Sequence, residues 1–228
     1  MQSPITTVKQ RYAAAMADKR FMVSFLAGLV FLAAALVFNY FAAIYATERA
    51  SAAVADIILS NIPVFDVDWI FVFGPFVFMA IMICVCLWHP KTLPFTAKSI
   101  ATFVAVRSFF IMLTHLGPFP DHAIIDGGTL HFLNFISVNP NLFLFSTGAD
   151  LFFSGHTGLP FMLSLVFWKH RLIRIFCLAS SVFFGIIVLL GHLHYSIDVA
   201  SAFFISYTIF IMVTKIFKKD WDRLLTAF

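Results

Sequence analysis

The sequence predicts an all-α membrane protein, a bundle of six transmembrane helices with the N and C termini on the cytoplasmic side. Three observations carry this prediction. Of 228 residues, 61% are hydrophobic and 11% charged, whereas soluble domains carry about 25% charged residues. Six apolar stretches approach the roughly 20 residues that a span requires. The Lys and Arg residues gather in alternate inter-span segments, which marks those segments as cytoplasmic.

Taken in order, residues 1–20 read as a short interfacial amphipathic segment. The first span, 21–43, is free of charge and of spanning length, so it reads as a true helix rather than a cleavable signal. Spans two to six are 69–88, 100–116, 151–168, 172–190 and 197–217, so the six-span domain runs over 21–217. A basic cytoplasmic tail, 218–228, follows. Residues 118–149 form a long loop, rich in Gly, Pro and Asn yet apolar ("LHFLNFISVNPNLFLF"), expected to lie on the membrane or fold over the bundle. No repeat or low-complexity linker divides the chain.

The charges fix the direction. Lys9, Arg11, Lys19 and Arg20 precede span one; Lys91 and Lys98 separate spans two and three. Lys169, Arg171 and Arg174 fall between spans four and five; Lys215, Lys218, Lys219 and Arg223 close the chain. Only Arg49 and Arg107 remain, while Glu48, Asp56, Asp66, Asp68, Asp121 and Asp126 lie on the opposite side. The net charge of +4 thus reports topology, and no basic stripe of the kind that binds nucleic acid is present. Cys84, Cys86 and Cys177 all sit in apolar runs and read as small buried hydrophobes.

This direction brings polar groups from three segments to one depth. In "GHLHYSIDV", His194 and Asp198 are four apart, so a helix stacks them on one face. A carboxylate there holds the imidazole tautomer and raises its basicity, which suits a histidine nucleophile or base. In "DLFFSGHTGLP", Asp150, Ser154, Gly155, His156 and Thr157 stand at the outer end of span four. A helix starting here aims free N–H groups at an anion, and Gly155 permits close backbone approach. Arg107 lies inside span three, and a buried Arg pairs with a phosphate or a carboxylate. Two histidines and one Arg suit phosphoryl transfer: one His attacks phosphorus, the other protonates the leaving oxygen.

These residues resemble the type 2 phosphatidic acid phosphatase superfamily of lipid phosphatases and phosphotransferases. "SGHT" resembles its second histidine motif and His194-x3-Asp198 its third. The sphingomyelin synthase branch is the closer likeness. Its Cys-Gly-Asp-x3-Ser-Gly-His-Thr motif is similar to "GADLFFSGHT", and "HYSIDV" keeps its His-Tyr-Ser/Thr-x-Asp-Val throughout. "VRSFFIMLTHLGP" resembles a further motif at Arg107, Ile111, Thr114 and Leu116, with Gly117 inserted before Pro118; "NIPVFDVDW" loosely resembles another. The departures are "GA" in place of Cys-Gly and the altered Leu-Pro end.

The resemblance implies that His194 is the nucleophile of a phospho-histidine intermediate and that Asp198 activates it. It implies that His156 is the acid, then the base, supported by Asp150. It places Arg107, Ser154, Gly155, Thr157, Thr114 and Tyr195 at the substrate, and it implies no cofactor and no metal. The Lys-x6-Arg-Pro motif of the phosphomonoesterases is missing, as is an Arg before the third motif. A monoester is nearly dianionic at neutral pH, so one Arg suits a monoanionic diester better. The expected reaction moves or hydrolyses the phospho-head group of a phosphatidylcholine- or phosphatidylethanolamine-type donor. Diacylglycerol leaves, and a ceramide-like lipid alcohol or water accepts. A lipid phosphomonoester phosphatase is the alternative within the enzymes; a haem- or ion-binding membrane bundle is the alternative outside them. The compact plan points to a bacterial inner membrane with the site periplasmic, a lumenal or extracellular site in a eukaryotic membrane being the other arrangement.

Overall fold

The computed structural model describes residues 8–120 and 151–227, and its regular elements are all helices. They are α1 (Val8–Ala17), α2 (Lys19–Glu48), α3 (Asp68–Trp88), α4 (Leu93–Thr114), α5 (Gly155–Val166), α6 (Arg171–Leu190), α7 (Ser196–Ile216) and α8 (Lys218–Leu224). Five helical segments among the described residues are long and apolar enough to cross a membrane: α2, α3, Pro90–Thr114, α6 and α7. Their outer faces carry large apolar side chains such as Val23, Val30, Leu172 and Phe204, the last two 75% exposed. Such a surface is far more apolar than a water-facing one tolerates and fits a lipid solvent.

α2 packs along α4, and α5 packs against both α6 and α7 while touching α4. The core they enclose is built from Phe95, Phe103, Phe153, Met162, Leu163, Phe167 and Phe184. A second cluster, Leu59, Phe119, Leu151 and Tyr195, covers the end of the bundle where α7 begins. α8 belongs to the stretch expected as a tail, yet Leu224 is 2% exposed and Asp220 is buried. Asp220 Oδ2 meets Lys98 Nζ at 2.6 Å and Ser24 Oγ at 2.6 Å, and Arg223 bridges Asp220 Oδ1 to Asp18 Oδ2. This cluster clamps α8 to the starts of α2 and α4.

The stretch 151–168 departs most from expectation. Only Gly155–Val166, 12 residues, is helix, which at 1.5 Å per residue is about 18 Å long. A hydrocarbon core of about 30 Å needs more. Ser154 caps the helix at one end, and the chain turns at Phe167 toward His170, whose side chain caps α6 at the other. Span three, by contrast, extends further back than 100, because Pro94 is well tolerated in the first turn of α4.

Candidate active site

The start of α5 is a constructed feature. Ser154 has extended backbone, and its Oγ accepts from Thr157 N at 3.4 Å. Its own N–H donates to Asp198 O at 3.1 Å, which ties the cap to the first turn of α7. Thr157 is fully buried; its Oγ1 donates to Ser154 Oγ at 3.3 Å, and its carbonyl accepts from Ser181 Oγ of α6 at 2.7 Å. The two hydroxyl residues are therefore committed to shaping the helix entrance. Ahead of them, the first-turn N–H groups of Gly155 and His156 have no acceptor within the helix.

Arg107 of α4 lies over that entrance. Its Nε donates to Phe153 O at 2.9 Å. A Cβ on Gly155 would stand 3.2 Å from Nε, 3.5 Å from Cδ and 3.6 Å from Cζ of Arg107. The absence of a side chain at 155 is what lets the guanidinium settle there. The guanidinium adds to the positive end of the helix dipole, so the entrance of α5 is electropositive, which is the chemistry that suits an anion.

His156 is held by a partner that the sequence pattern did not suggest. Its Nε2 lies 3.2 Å from Phe71 O of α3. That carbonyl would normally accept from the N–H four residues later, but residue 75 is Pro, inside the helix, and has no N–H. A carbonyl only accepts, so His156 Nε2 carries the proton and Nδ1 is the atom left to give or take one. The ring stacks on Phe71 at 4.3 Å and meets Phe184 edge-on at 6.3 Å. α3 comes this close to α6 because Gly74 has no Cβ, which would stand 2.5 Å from a Phe184 ring carbon.

His194 and Asp198 are brought together as their spacing indicated. Nδ1 of His194 lies 3.4 Å from Oδ2 of Asp198, the two side chains 5% and 0% exposed. The same oxygen accepts from Tyr195 N at 3.0 Å, so Asp198 also caps α7. The rings of His156 and His194 are 6.4 Å apart. Arg107, His156, His194 and Asp198 thus meet around the entrance of α5.

Tyr195 and Thr114, also expected at the substrate, have hydroxyl partners within the protein. Tyr195 is 1% exposed, and its hydroxyl donates to Gly117 O at 2.8 Å and accepts from Val54 N at 3.2 Å. Thr114 Oγ1 donates back to Phe110 O of its own helix at 3.2 Å. Asp150, and the loop expected over 118–149 from residue 121 on, lie outside the described residues. No group of three His, Cys, Asp or Glu able to hold a metal ion occurs among the described residues.

Two residues outside the expected catalytic and substrate-binding set also stand out. Asp56, between α2 and α3, accepts from Ser196 N at 2.7 Å and from Ile58 N and Leu59 N at 2.9 and 3.2 Å. Burial pushes its carboxyl up, but these hydrogen bonds outweigh burial and hold it below the usual carboxylate range. Asp56 thereby fixes the start of α7, and with it Asp198. His192 is 3% exposed, at φ 52°, edge-on to Phe119 at 5.3 Å, and neither ring nitrogen has a hydrogen-bond partner among the described residues.

Comparison with known proteins gives one finding. Residues 147–216 match the family model described as "PAP2 superfamily C-terminal". The matched stretch contains α5, α6 and all of α7, and with them His156, His194 and Asp198. No curated protein and no solved structure matches the chain. The match supports the type 2 phosphatidic acid phosphatase superfamily, whose members are generally phosphatases and phosphotransferases.

Proposed function

We propose that the protein is a membrane lipid phosphotransferase of the sphingomyelin synthase-like kind, acting on a phospholipid head group through a phospho-histidine intermediate. The observation that carries the reading is the Arg107 guanidinium over the Gly155 entrance of α5, with the His156 and His194 rings 6.4 Å apart beside it. An anionic phosphodiester held between Arg107 and the first turn of α5 can have its phosphorus between the two rings. Reacting atoms there stand about 3–3.5 Å apart.

Asp198 holds the Nδ1–H of His194 and leaves Nε2 as the nucleophile. His156 enters this step protonated at both nitrogens: the N–P bond forms while the bond from phosphorus to the diacylglycerol oxygen breaks, and the Nδ1 proton passes to that oxygen, leaving the neutral Nε2–H ring. In the second half, Nδ1 takes the proton of the incoming hydroxyl as the new O–P bond forms and the N–P bond breaks. The acceptor is a ceramide-like alcohol or water, and neither cofactor nor metal takes part. The termini are cytoplasmic and the site opens toward the periplasm or lumen, the five long helices and the segment that carries α5 together making the six passages.

The test supplies purified enzyme with a phosphatidylcholine bearing a fluorescent acyl chain, with and without ceramide. Release of fluorescent diacylglycerol in both, with a new phosphosphingolipid when ceramide is present, is the expected result. Diacylglycerol alone reduces the activity to hydrolysis. Turnover of phosphatidic acid but of no diester overturns the diester reading in favour of a phosphomonoesterase. His194→Ala abolishes both half-reactions, and a chelator leaves the activity intact.

A further inference from the structure

At the far end of α5 from the histidines lies a groove of about 360 Å³. α5 is about 18 Å long, so the groove is separate from the site already described. Its walls are Leu165 at the end of α5, Trp168 in the turn after it, Tyr207 and Phe210 of α7, and Trp221 and Leu224 of α8, with Lys169 at the rim. Its volume falls within the usual range of ligand sites, roughly 300–1,000 Å³.

The wall formed by α8 is firm. Lys98, Ser24 and Arg223 bind Asp220, and Trp221 packs against Phe95 at 5.0 Å and Phe210 at 5.5 Å. α8 is thus held beside the groove rather than across it. The rim is cationic. Arg174 stacks over the wall residue Trp168 at 4.6 Å and donates to its carbonyl at 3.1 Å, which sets its charge against that wall. The nearby acids are committed elsewhere: Asp220 to Lys98 and Arg223, Asp222 to Lys218. Among the described residues, neither Lys169 nor Arg174 has a carboxylate partner.

An apolar groove, two Trp residues of the kind that mark membrane interfaces and two cations without counter-ions fit one occupant. We propose that the groove holds an acyl chain of an anionic glycerophospholipid, its head group paired with Lys169 and Arg174. Juxtamembrane Lys and Arg attract anionic lipids in this way. The inference rests on placing these helices in a membrane and is independent of the reaction at the histidines.

The test is photolabelling in nanodiscs with phosphatidylglycerol or phosphatidylcholine carrying a diazirine at the acyl terminus, read by peptide mass spectrometry. Phosphatidylglycerol labels 165–169 and 221–225 at least five-fold more than the lipid-facing surfaces around Leu172 and Phe204. Lys169→Gln with Arg174→Gln removes the advantage of phosphatidylglycerol over phosphatidylcholine. Leu165→Trp, which narrows the groove from one wall, reduces label from both lipids, with thermal midpoint and phospholipid turnover showing that the variant is folded. Label spread evenly over all lipid-facing residues means ordinary boundary lipid and overturns the proposal. So does native mass spectrometry that finds dimers without retained phospholipid, which gives the groove to a second copy of the chain.

Discussion

Replacing Pro75 by alanine separates what stabilises α3 from what positions His156. Pro75 sits inside α3 and leaves the carbonyl of Phe71 without its helical donor; His156 Nε2 occupies that acceptor at 3.2 Å. An interior Pro costs a helix about 3 kcal/mol. The Pro75→Ala variant recovers that bond and loses two partly buried carbons, worth at most about 0.8 kcal/mol each. The net is a stabilisation of roughly 1–2 kcal/mol. The new N–H competes for the carbonyl on which His156 depends. A carbonyl has two lone pairs, so the bond becomes shared rather than lost, at about 1 kcal/mol out of the 1–3 kcal/mol for a fully orphaned group. That is close to a five-fold fall in turnover. Two assays read the opposite signs: thermal unfolding in detergent rises, and hydrolysis or transfer of a fluorescent phospholipid falls. A third readout is nitrogen-15 histidine spectroscopy, with His156 assigned by its loss in His156→Asn. The Nε2–H tautomer dominates with Pro75 in place, and Nδ1–H gains population in the variant. A stabilised Pro75→Ala protein with unchanged turnover and an unchanged His156 spectrum would refute the claim that this carbonyl sets the tautomer.

Three further substitutions probe the rest of the site. Gly155→Ala puts a Cβ 3.2 Å from Arg107 Nε, which moves the guanidinium by a few tenths of an ångström. It lowers kcat/KM about five-fold, and Gly155→Val lowers it at least ten-fold further, while α5 itself gains from the loss of a Gly. Tyr195→Phe leaves Gly117 O and Val54 N without their partner and costs about 1–2 kcal/mol in thermal unfolding; KM stays unchanged, whereas a large rise in KM would return the hydroxyl to the substrate. Asp56 has a depressed carboxyl pKa, so its stabilising effect is full above the unfolded value of about 3.9 and is lost as pH falls through the lower folded value. Asp56→Asn therefore lowers the unfolding midpoint at pH 7 and flattens the acid limb of the stability curve, which a pH series of melts measures.

The histidine pairs were legible because they depend on short-range geometry. His194 and Asp198 are one helical turn apart, so their spacing pointed to the pair, and the polar run at Ser154–Thr157 stood out inside an apolar stretch, whereas the cap that Ser154 makes needed the structure. Arg107 was legible as a charge in an apolar run. The length of α5 was not. Apolar composition continues through Leu165–Trp168, and only the packed turn at Phe167 and the cap at His170 end the helix. Tyr195 also could not be assigned from sequence, since its hydroxyl partners, Gly117 and Val54, come from remote segments. Asp56 is 140 residues from the Ser196 N–H it accepts, and no local pattern reveals such a pairing. Pro75 was visible as a Pro within a span, but the use of the carbonyl it frees needed the position of α5.

The short α5 also bears on the choice between water and lipid alcohol. On the proposed topology, its far end meets the basic side of the membrane near Lys169 and Arg174. Its Gly155 entrance then lies about 18 Å inward from that side, within a hydrocarbon layer of about 30 Å. A phosphate reaching Arg107 must leave the head-group level and shed water to do so. The entrance offers a guanidinium and the positive end of the α5 dipole, which act more strongly at low dielectric. Around them stand Phe71, Phe152, Phe153 and Phe184, packed on one another or on His156. Water is scarce at such a depth, whereas a ceramide-like hydroxyl arrives with its chains already in the bilayer. If the proposed reaction takes place at this depth, supply of acceptor would favour transfer over hydrolysis, with no residue having to discriminate between the two nucleophiles.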